Sequence, residues 1–263
     1  MEKYLFEELL NIMKRLRGEG GCPWDRAQTI ESLKPFLVEE CYEVIEAIED
    51  GAPRKIQEEL GDLLFQIIFL AQIGQEEGNF DMSRILKSIT KKMIRRHPHV
   101  FSNDKAANVS EVLAKWEEIK QKEGKGDKKN GKSSVLDGLP KGLPSLTYAH
   151  RVQSKASRVG FDWTALNEVM EKLDEEVSEF HEAVLRNDEE GSEAEFGDLL
   201  FTMVNISRFL GFDPEGSLRK AIKRFIERFR TMEKMISGRG QTLKDLDLPE
   251  LDKLWEQAKA VIS

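Results

Sequence analysis

Two short runs of acids raise the chemical question. Glu39, Glu40 and Glu43 stand at i, i+1 and i+4, and Glu59 and Asp62 follow at i, i+3. Either spacing puts carboxylates on one side of a helix, a turn apart. Fifteen residues separate Glu43 from Glu59. That is room for a helix end and a turn, so an antiparallel helix pair brings Glu40, Glu43, Glu59 and Asp62 together. Clustered carboxylates repel one another unless a proton, a basic partner or a metal neutralises them. An all-oxygen ligand set selects a hard cation, Mg2+ or Mn2+ rather than zinc. A solvated acidic face is the plain alternative. Two features favour the cation: the acid pair leads into an apolar helix, and the whole pattern returns as Glu175, Glu176 and Glu179 with Glu195 and Asp198. Iron is disfavoured. Di-iron bundles use Glu-x-x-His motifs, and none of His97, His99, His150 and His181 lies three residues after an acid.

Basic and aromatic residues follow each acid cluster. Arg224 and Arg228 are at i, i+4 in KAIKRFIERFR (220–230), and Lys92 and Arg96 have the same spacing. A divalent cation beside paired basic side chains suits a polyphosphate: the cation bridges phosphate oxygens and the guanidinium groups take the remainder. A charged outer helix face would look the same. Trp255 either stacks on a base or packs between helices, and Trp116 is its counterpart in a similar run.

The elements that must position these residues read as helices. Leu33, Leu37, Cys41, Val44, Ile45 and Ile48 fill an arc of about 120° at helical spacing. Cys41 is therefore expected in the core. Leu63–Ile73 is apolar nearly all round and too short to span a membrane, which predicts a central buried helix; Leu199–Leu210 is its slightly more polar copy. EEGSEAE (189–195) reads as a loop ahead of Glu195. Cys22-Pro23-Trp24-Asp25 reads as a loop with Trp24 at a core edge, and Phe161-Asp162-Trp163 as its match. His97-Pro98-His99 reads as a turn ending a basic helix. No convincing alternating strand occurs, so the fold class is all-α.

The repeat is internal and collinear. GDLLF occupies 61–65 and again 197–201, an offset of 136 that also carries every acid of the first cluster onto the second. ILKSITKKMIRRH (85–97) aligns with SLRKAIKRFIERF (217–229) after a four-residue slip. Between the copies KEGKGDKKNGKSS (122–134) lacks apolar residues and reads as a flexible linker. Two helical domains are expected, 1–121 and 136–263, joined by 122–135.

Composition agrees. The 263 residues are 33% charged and 8% aromatic, with a net charge of −8. An acidic chain disfavours non-specific nucleic-acid binding. Two cysteines make no disulfide framework. No apolar run reaches the roughly 20 residues of a membrane helix, and the first residues lack a signal peptide's apolar segment. A cytoplasmic protein without a membrane partner is expected.

Together GCPWD (21–25), EELGDLLFQ (58–66), RRHPHVF (95–101), VGFDW (159–163), GDLLF (197–201) and the two acid signatures resemble the MazG-type nucleoside triphosphate pyrophosphohydrolases over nearly the whole chain. The resemblance implies tandem all-α pyrophosphatase domains that dimerise to complete a helical bundle. It implies hydrolysis of ribo- and deoxyribonucleoside triphosphates between the α and β phosphates, with the second domain carrying the clearest activity. By motif position Glu176, Glu179, Glu195 and Asp198 would hold Mg2+. Lys172, Arg224 and Arg228 would contact phosphates or the base-sugar moiety, and Trp255 the base. A carboxylate outside the direct metal shell, Glu175 or Glu39, would accept the proton of the attacking water. Two other functions fit the same residues: a narrower pyrophosphatase for one modified or deoxy nucleotide, and a non-catalytic helical regulator that senses nucleotides.

Overall fold

Proline and glycine punctuation sets the helices of the first half. The structure, a computed structural model, describes residues 1–102, 134–237 and 242–262, together with 108, 111, 112, 115, 116 and 119. The expected linker lies outside the described residues except for 134 and 135. The elements of the first half are α1 (Glu2–Arg17), α2 (Pro23–Ala27), α3 (Lys34–Glu49), α4 (Pro53–Glu76), α5 (Met82–Arg96) and α6 (Pro98–Phe101). Pro35 sits in the first turn of α3 and Pro53 opens α4, where a missing N–H costs nothing. The carboxylate of Asp81 caps α5 by accepting the Arg84 N–H at 2.7 Å.

The second half repeats the plan with α7 (Ser145–Ser157), α8 (Leu166–Leu185), α9 (Glu189–Leu210) and α10 (Pro214–Ser237), then a 3-10 turn (Leu243–Asp245) and α11 (Leu248–Val261). Every regular element among the described residues is helical, as the all-α reading expects. The chain divides into two compact units, Met1–Asp127 and Lys128–Ser263. No described helix is long and apolar enough to cross a membrane.

The decisive local feature is the turn between paired helices. α3 and α4 pack together across a three-residue connection, and so do α8 and α9. A connection this short between packed helices makes them antiparallel. Each turn needs one residue in the left-handed region: Gly51 (φ 63°) in the first and Asn187 (φ 52°) in the second. Glycine has no Cβ to clash there, and asparagine is among the residues that tolerate it best. Positions 51 and 187 obey the repeat offset, so one device builds both hairpins.

One core of the first unit gathers Met13, Leu33, Ile68, Phe69 and Ile73, with Phe6, Leu9, Phe36 and Phe65 against it. Truncating Phe69 to Ala would cost about 3–5 kcal/mol. The Arg17 guanidinium locks this unit. It forks onto Glu76 (Nη2–Oε2 2.6 Å, Nε–Oε1 3.0 Å), donates to the carbonyl of Gln28 at 3.2 Å, and lies 5.4 Å from the Phe69 ring centroid. A core of the second unit gathers Met232, Ile236, Leu254 and Ala258, with Trp255 packed on it.

Three expectations need correction. α4 is not buried all round: Ile68, Phe69, Ala71 and Ile73 toward its C-terminal half are covered, but Leu60, Leu64 and Ile67 nearer its start are exposed. The copy does the same, with Phe196, Leu200 and Met203 exposed at the same offset. Cys41 is exposed rather than in the core, as is its counterpart Val177. Each hairpin is only partly covered by its own unit. Finally, residues 189–195 are the opening of α9, not a loop. Asp188 caps them by accepting the Gly191 N–H at 2.9 Å, and Glu189 and Glu190 sit where a helix N-terminus favours negative charge.

Two loop readings are refined. Pro23 opens the short helix α2 where the sequence reads as a loop, and Trp24 in its first turn stays 53% exposed, with its ring edge-on to Phe36 at 5.7 Å. His97 ends α5, its Nδ1 2.7 Å from the Met93 carbonyl oxygen, but Pro98 and His99 open the one-turn helix α6 instead of a plain turn.

Candidate active site

The two hairpins gather the acids in the same way. On α3 and α4, one carboxylate oxygen from each of Glu40, Glu43 and Glu59 lies within 4.8 Å of the others. On α8 and α9, Glu176, Glu179 and Glu195 do the same. These are three of the four residues expected as ligands in each copy. The fourth, Asp62 or Asp198, is one turn further along and exposed. Each still acts on its neighbours' charge, Asp62 on Glu40 and Glu59, Asp198 on Glu195.

Crowding shows in the protonation equilibria. Glu195 is pushed above the usual carboxylate range, first by desolvation and then by the charges of Glu179, Glu176 and Asp198. Glu59 is raised by desolvation and by Glu43, with Lys55 opposing. Glu40 is raised by desolvation although the Gln66 amide donates to its Oε1 at 3.3 Å. Each of these carboxyls would ionise more readily if a cation stood among them. All three donors in each copy are carboxylates, the ligand chemistry of a hard divalent ion. The observed set therefore fits Mg2+ or Mn2+.

The outer acids and the basic residues fall as follows. Glu39 is exposed at the outer edge of its cluster. Glu175 is exposed and pairs with Lys172 Nζ at 2.9 Å. Lys172 Nζ also reaches Glu176 Oε1 at 2.8 Å. These two hydrogen bonds hold the ammonium charged well beyond the ordinary lysine range. This pairing was missed in the sequence, although i, i+3 and i, i+4 spacing signalled it. Gln66 and its buried Oε1, which has no hydrogen-bond partner, were missed too. A glutamine inside an apolar run was the available signal.

Arg224 and Arg228 stand on α10, which packs against α7 and α11; the α8–α9 hairpin also packs on α7, through α9. Arg224 is exposed and Arg228 half-buried. The Arg228 guanidinium lies 5.9 Å from the Trp255 ring centroid, and the same pair recurs in the first copy, Arg96 at 5.2 Å from Trp116. Trp255 is half-buried against its core and 5.2 Å from Phe225. Its packing role is visible, and one consequence is that it seats Arg228. Lys92 lies on α5, one turn before Arg96.

Comparison with known proteins agrees with this arrangement. The MazG nucleotide pyrophosphohydrolase domain matches twice, at residues 28–101 and 165–233, each match spanning one acid hairpin and the basic helix after it. The chain is 48% identical to the nucleoside triphosphate pyrophosphohydrolase/pyrophosphatase MazG of Thermotoga maritima, covering 97% of this chain and 96% of that one. It is 44% identical to the nucleoside triphosphate pyrophosphohydrolase of Escherichia coli K12, covering 96% of each. A crystal structure of a mazG-related protein from Thermotoga maritima aligns with 44% of this chain at 30% identity and a TM-score of 0.39. With its two matched domains, each built around a carboxylate hairpin, the chain belongs to the MazG nucleotide pyrophosphohydrolase family.

Proposed function

We propose that this protein hydrolyses nucleoside triphosphates, ribo- and deoxyribo- alike, at the α–β phosphate bond to monophosphate and pyrophosphate, in an Mg2+-dependent reaction. The observation that carries this reading is the pair of carboxylate triplets, each within 4.8 Å, on matching hairpins. Glu176, Glu179, Glu195 and Asp198 would hold the cation in the second copy, and Glu40, Glu43, Glu59 and Asp62 in the first. A bound divalent ion would supply charge to phosphate oxygens and acidify a water. Mn2+ would serve the same donors.

The chain's own residues do the remaining work. Glu175 in the second copy, or Glu39 in the first, accepts the proton of the attacking water. Lys172, Arg224 and Arg228 balance the charge of the phosphates, as Lys92 and Arg96 would in the first copy. Trp255 and Trp116 offer a face to the base as well as a seat to their arginines. Pyrophosphate leaves against this positive wall. The second domain is the main catalyst in this reading.

The exposed apolar face supports a homodimer. Leu60, Leu64 and Ile67, with Ile48 of α3, are matched at the repeat offset by Phe196, Leu200, Met203 and Val184. Two helices present one apolar face, and a second copy supplies the other two helices of a four-helix core. Cys22 and Cys41 are free thiols, in keeping with a cytoplasmic location.

The test is pyrophosphate release from a panel of nucleoside triphosphates with and without Mg2+. Metal-dependent pyrophosphate from many bases and both sugars is expected. Inorganic phosphate as the sole product, or no turnover, overturns the reading.

A further inference from the structure

Resting on the reading of both clusters as cation sites, we infer that Lys172 is a resident counter-ion that must release Glu176 before a divalent ion loads the second copy, so that metal enters there with nucleotide, whereas the first copy binds the free ion.

A lysine already stands on the ligand oxygens of the second copy. Lys172 Nζ is 2.8 Å from Glu176 Oε1 and 2.9 Å from Glu175 Oε1. The Glu176 side chain is 7% exposed, the most buried of its triplet, so the lysine sits on the carboxylate least able to find another partner. A divalent ion bound to Glu176 would lie close to this ammonium, like charge against like. The Lys172 side chain is 30% exposed on a flexible stem, so its head can swing away. A polyphosphate supplies both the reason and the destination, since it brings negative charge that an ammonium can follow.

The first copy lacks this arrangement. Its residue at the repeat offset from Lys172 is Phe36, packed in the core and against Trp24. Among the described residues no ion pair reaches Glu40, Glu43 or Glu59. Of the two lysines on this hairpin, Lys34 pairs with Glu31, and Lys55 pairs at 3.6 Å with Glu46 and 4.0 Å with Asp50, all outside the triplet; Lys55 acts on Glu59 only through space. The Glu40 partner is the neutral Gln66 amide. One cluster therefore carries an ammonium on its most buried carboxylate, and the other carries none among the described residues.

The experiment measures Mn2+ affinity by calorimetry on the full chain, one copy at a time. Glu43→Gln with Glu59→Gln silences the first copy, and Glu179→Gln with Glu195→Gln silences the second. Without nucleotide, the second copy should bind Mn2+ about fivefold more weakly than the first, the upper scale of a partly exposed ion pair. Lys172→Met should raise the second copy's affinity by about that factor, and Lys172→Gln likewise, whereas Lys172→Arg should leave it unchanged. An α,β-methylene triphosphate should strengthen Mn2+ binding in the second copy far more than in the first. Unchanged or weaker Mn2+ binding in both Lys172→Met and Lys172→Gln overturns the counter-ion role. Absence of Mn2+ binding at both copies, with and without the analogue, overturns the cation-site reading beneath it.

Discussion

The two halves of this chain are one design with two electrostatic outcomes. Their hairpins turn at Gly51 and Asn187, their carboxylate triplets each gather within 4.8 Å, and their arginine–tryptophan pairs recur. They differ at many side chains around the acids. The second copy has Lys172 where the first has Phe36, Gly191 where the first has Lys55, and Thr202 where the first has Gln66. Backbone geometry has been kept and the charge around it changed. The ligand positions thus follow from the turn and the helical repeat, and the behaviour of each site follows from the neighbours of its ligands.

The largest expected difference is in turnover. Glu179→Gln with Asp198→Asn should lower pyrophosphate release at least ~100-fold, the scale of losing a preorganised electrostatic group. Glu43→Gln with Asp62→Asn should change it far less, because the second domain is the main catalyst in the proposed reading. Steady-state kinetics on both double variants decides this, and equal losses would erase the functional asymmetry.

Next comes assembly. Leu64→Glu and Leu200→Glu each place a charge in an apolar face that both copies share. Light scattering should show dimer in the parent protein and mostly monomer when both changes are combined. A monomeric parent would remove the self-pairing explanation of that face.

A smaller effect concerns how each unit is locked. In the first unit Arg17, 7% exposed, holds the carboxyl of Glu76 below the usual range. A depressed carboxylate stabilises the fold above its ordinary value of 4.5 and loses that contribution as pH falls through the depressed one. Arg17→Met should cost about 1–3 kcal/mol in urea unfolding at neutral pH, discounted because Glu76 is partly exposed. The penalty should shrink near pH 3. The second unit uses a different lock, Arg208 forked onto Asp162, so its transition should not move.

The smallest effect has the opposite sign. Glu195 has a raised carboxyl, so the fold favours its neutral form; that stabilisation is present below 4.5 and lost as pH rises through the raised value. Glu195→Gln keeps the neutral form at every pH. It should raise Tm slightly at neutral pH and by nothing near pH 4. Glu59→Gln should gain less, because Lys55 already offsets part of the repulsion. Thermal melts at the two pH values check the order.

Much of this could be read before any coordinates. The acid triplets were legible because i, i+3 and i, i+4 spacing fixes a helix face and a fifteen-residue gap admits one tight turn. The all-α class followed from the same periodicity. Cys41 and Leu64 were not legible. Periodicity marks an apolar stripe but not which neighbour covers it, and here the chain's own unit leaves both residues exposed. The opening of α9 was misread because glycine and acids suggest a loop. Asp188 as a cap, with acids at the positive end of the helix, makes the same residues a helix start. Trp255 was open between two roles, and its core contacts make the packing role visible.

The central claim is that water attacks the α phosphorus at the acid cluster of the second hairpin. Hydrolysis in 18O-labelled water, with Mg2+ and a nucleoside triphosphate, followed by mass analysis of both products, tests it directly. The account predicts 18O in the monophosphate and none in the pyrophosphate, from the parent protein and from the Glu43→Gln, Glu59→Gln variant. Label in pyrophosphate or inorganic phosphate, or labelled monophosphate still formed at the parent rate by Glu179→Gln with Glu195→Gln, would contradict it.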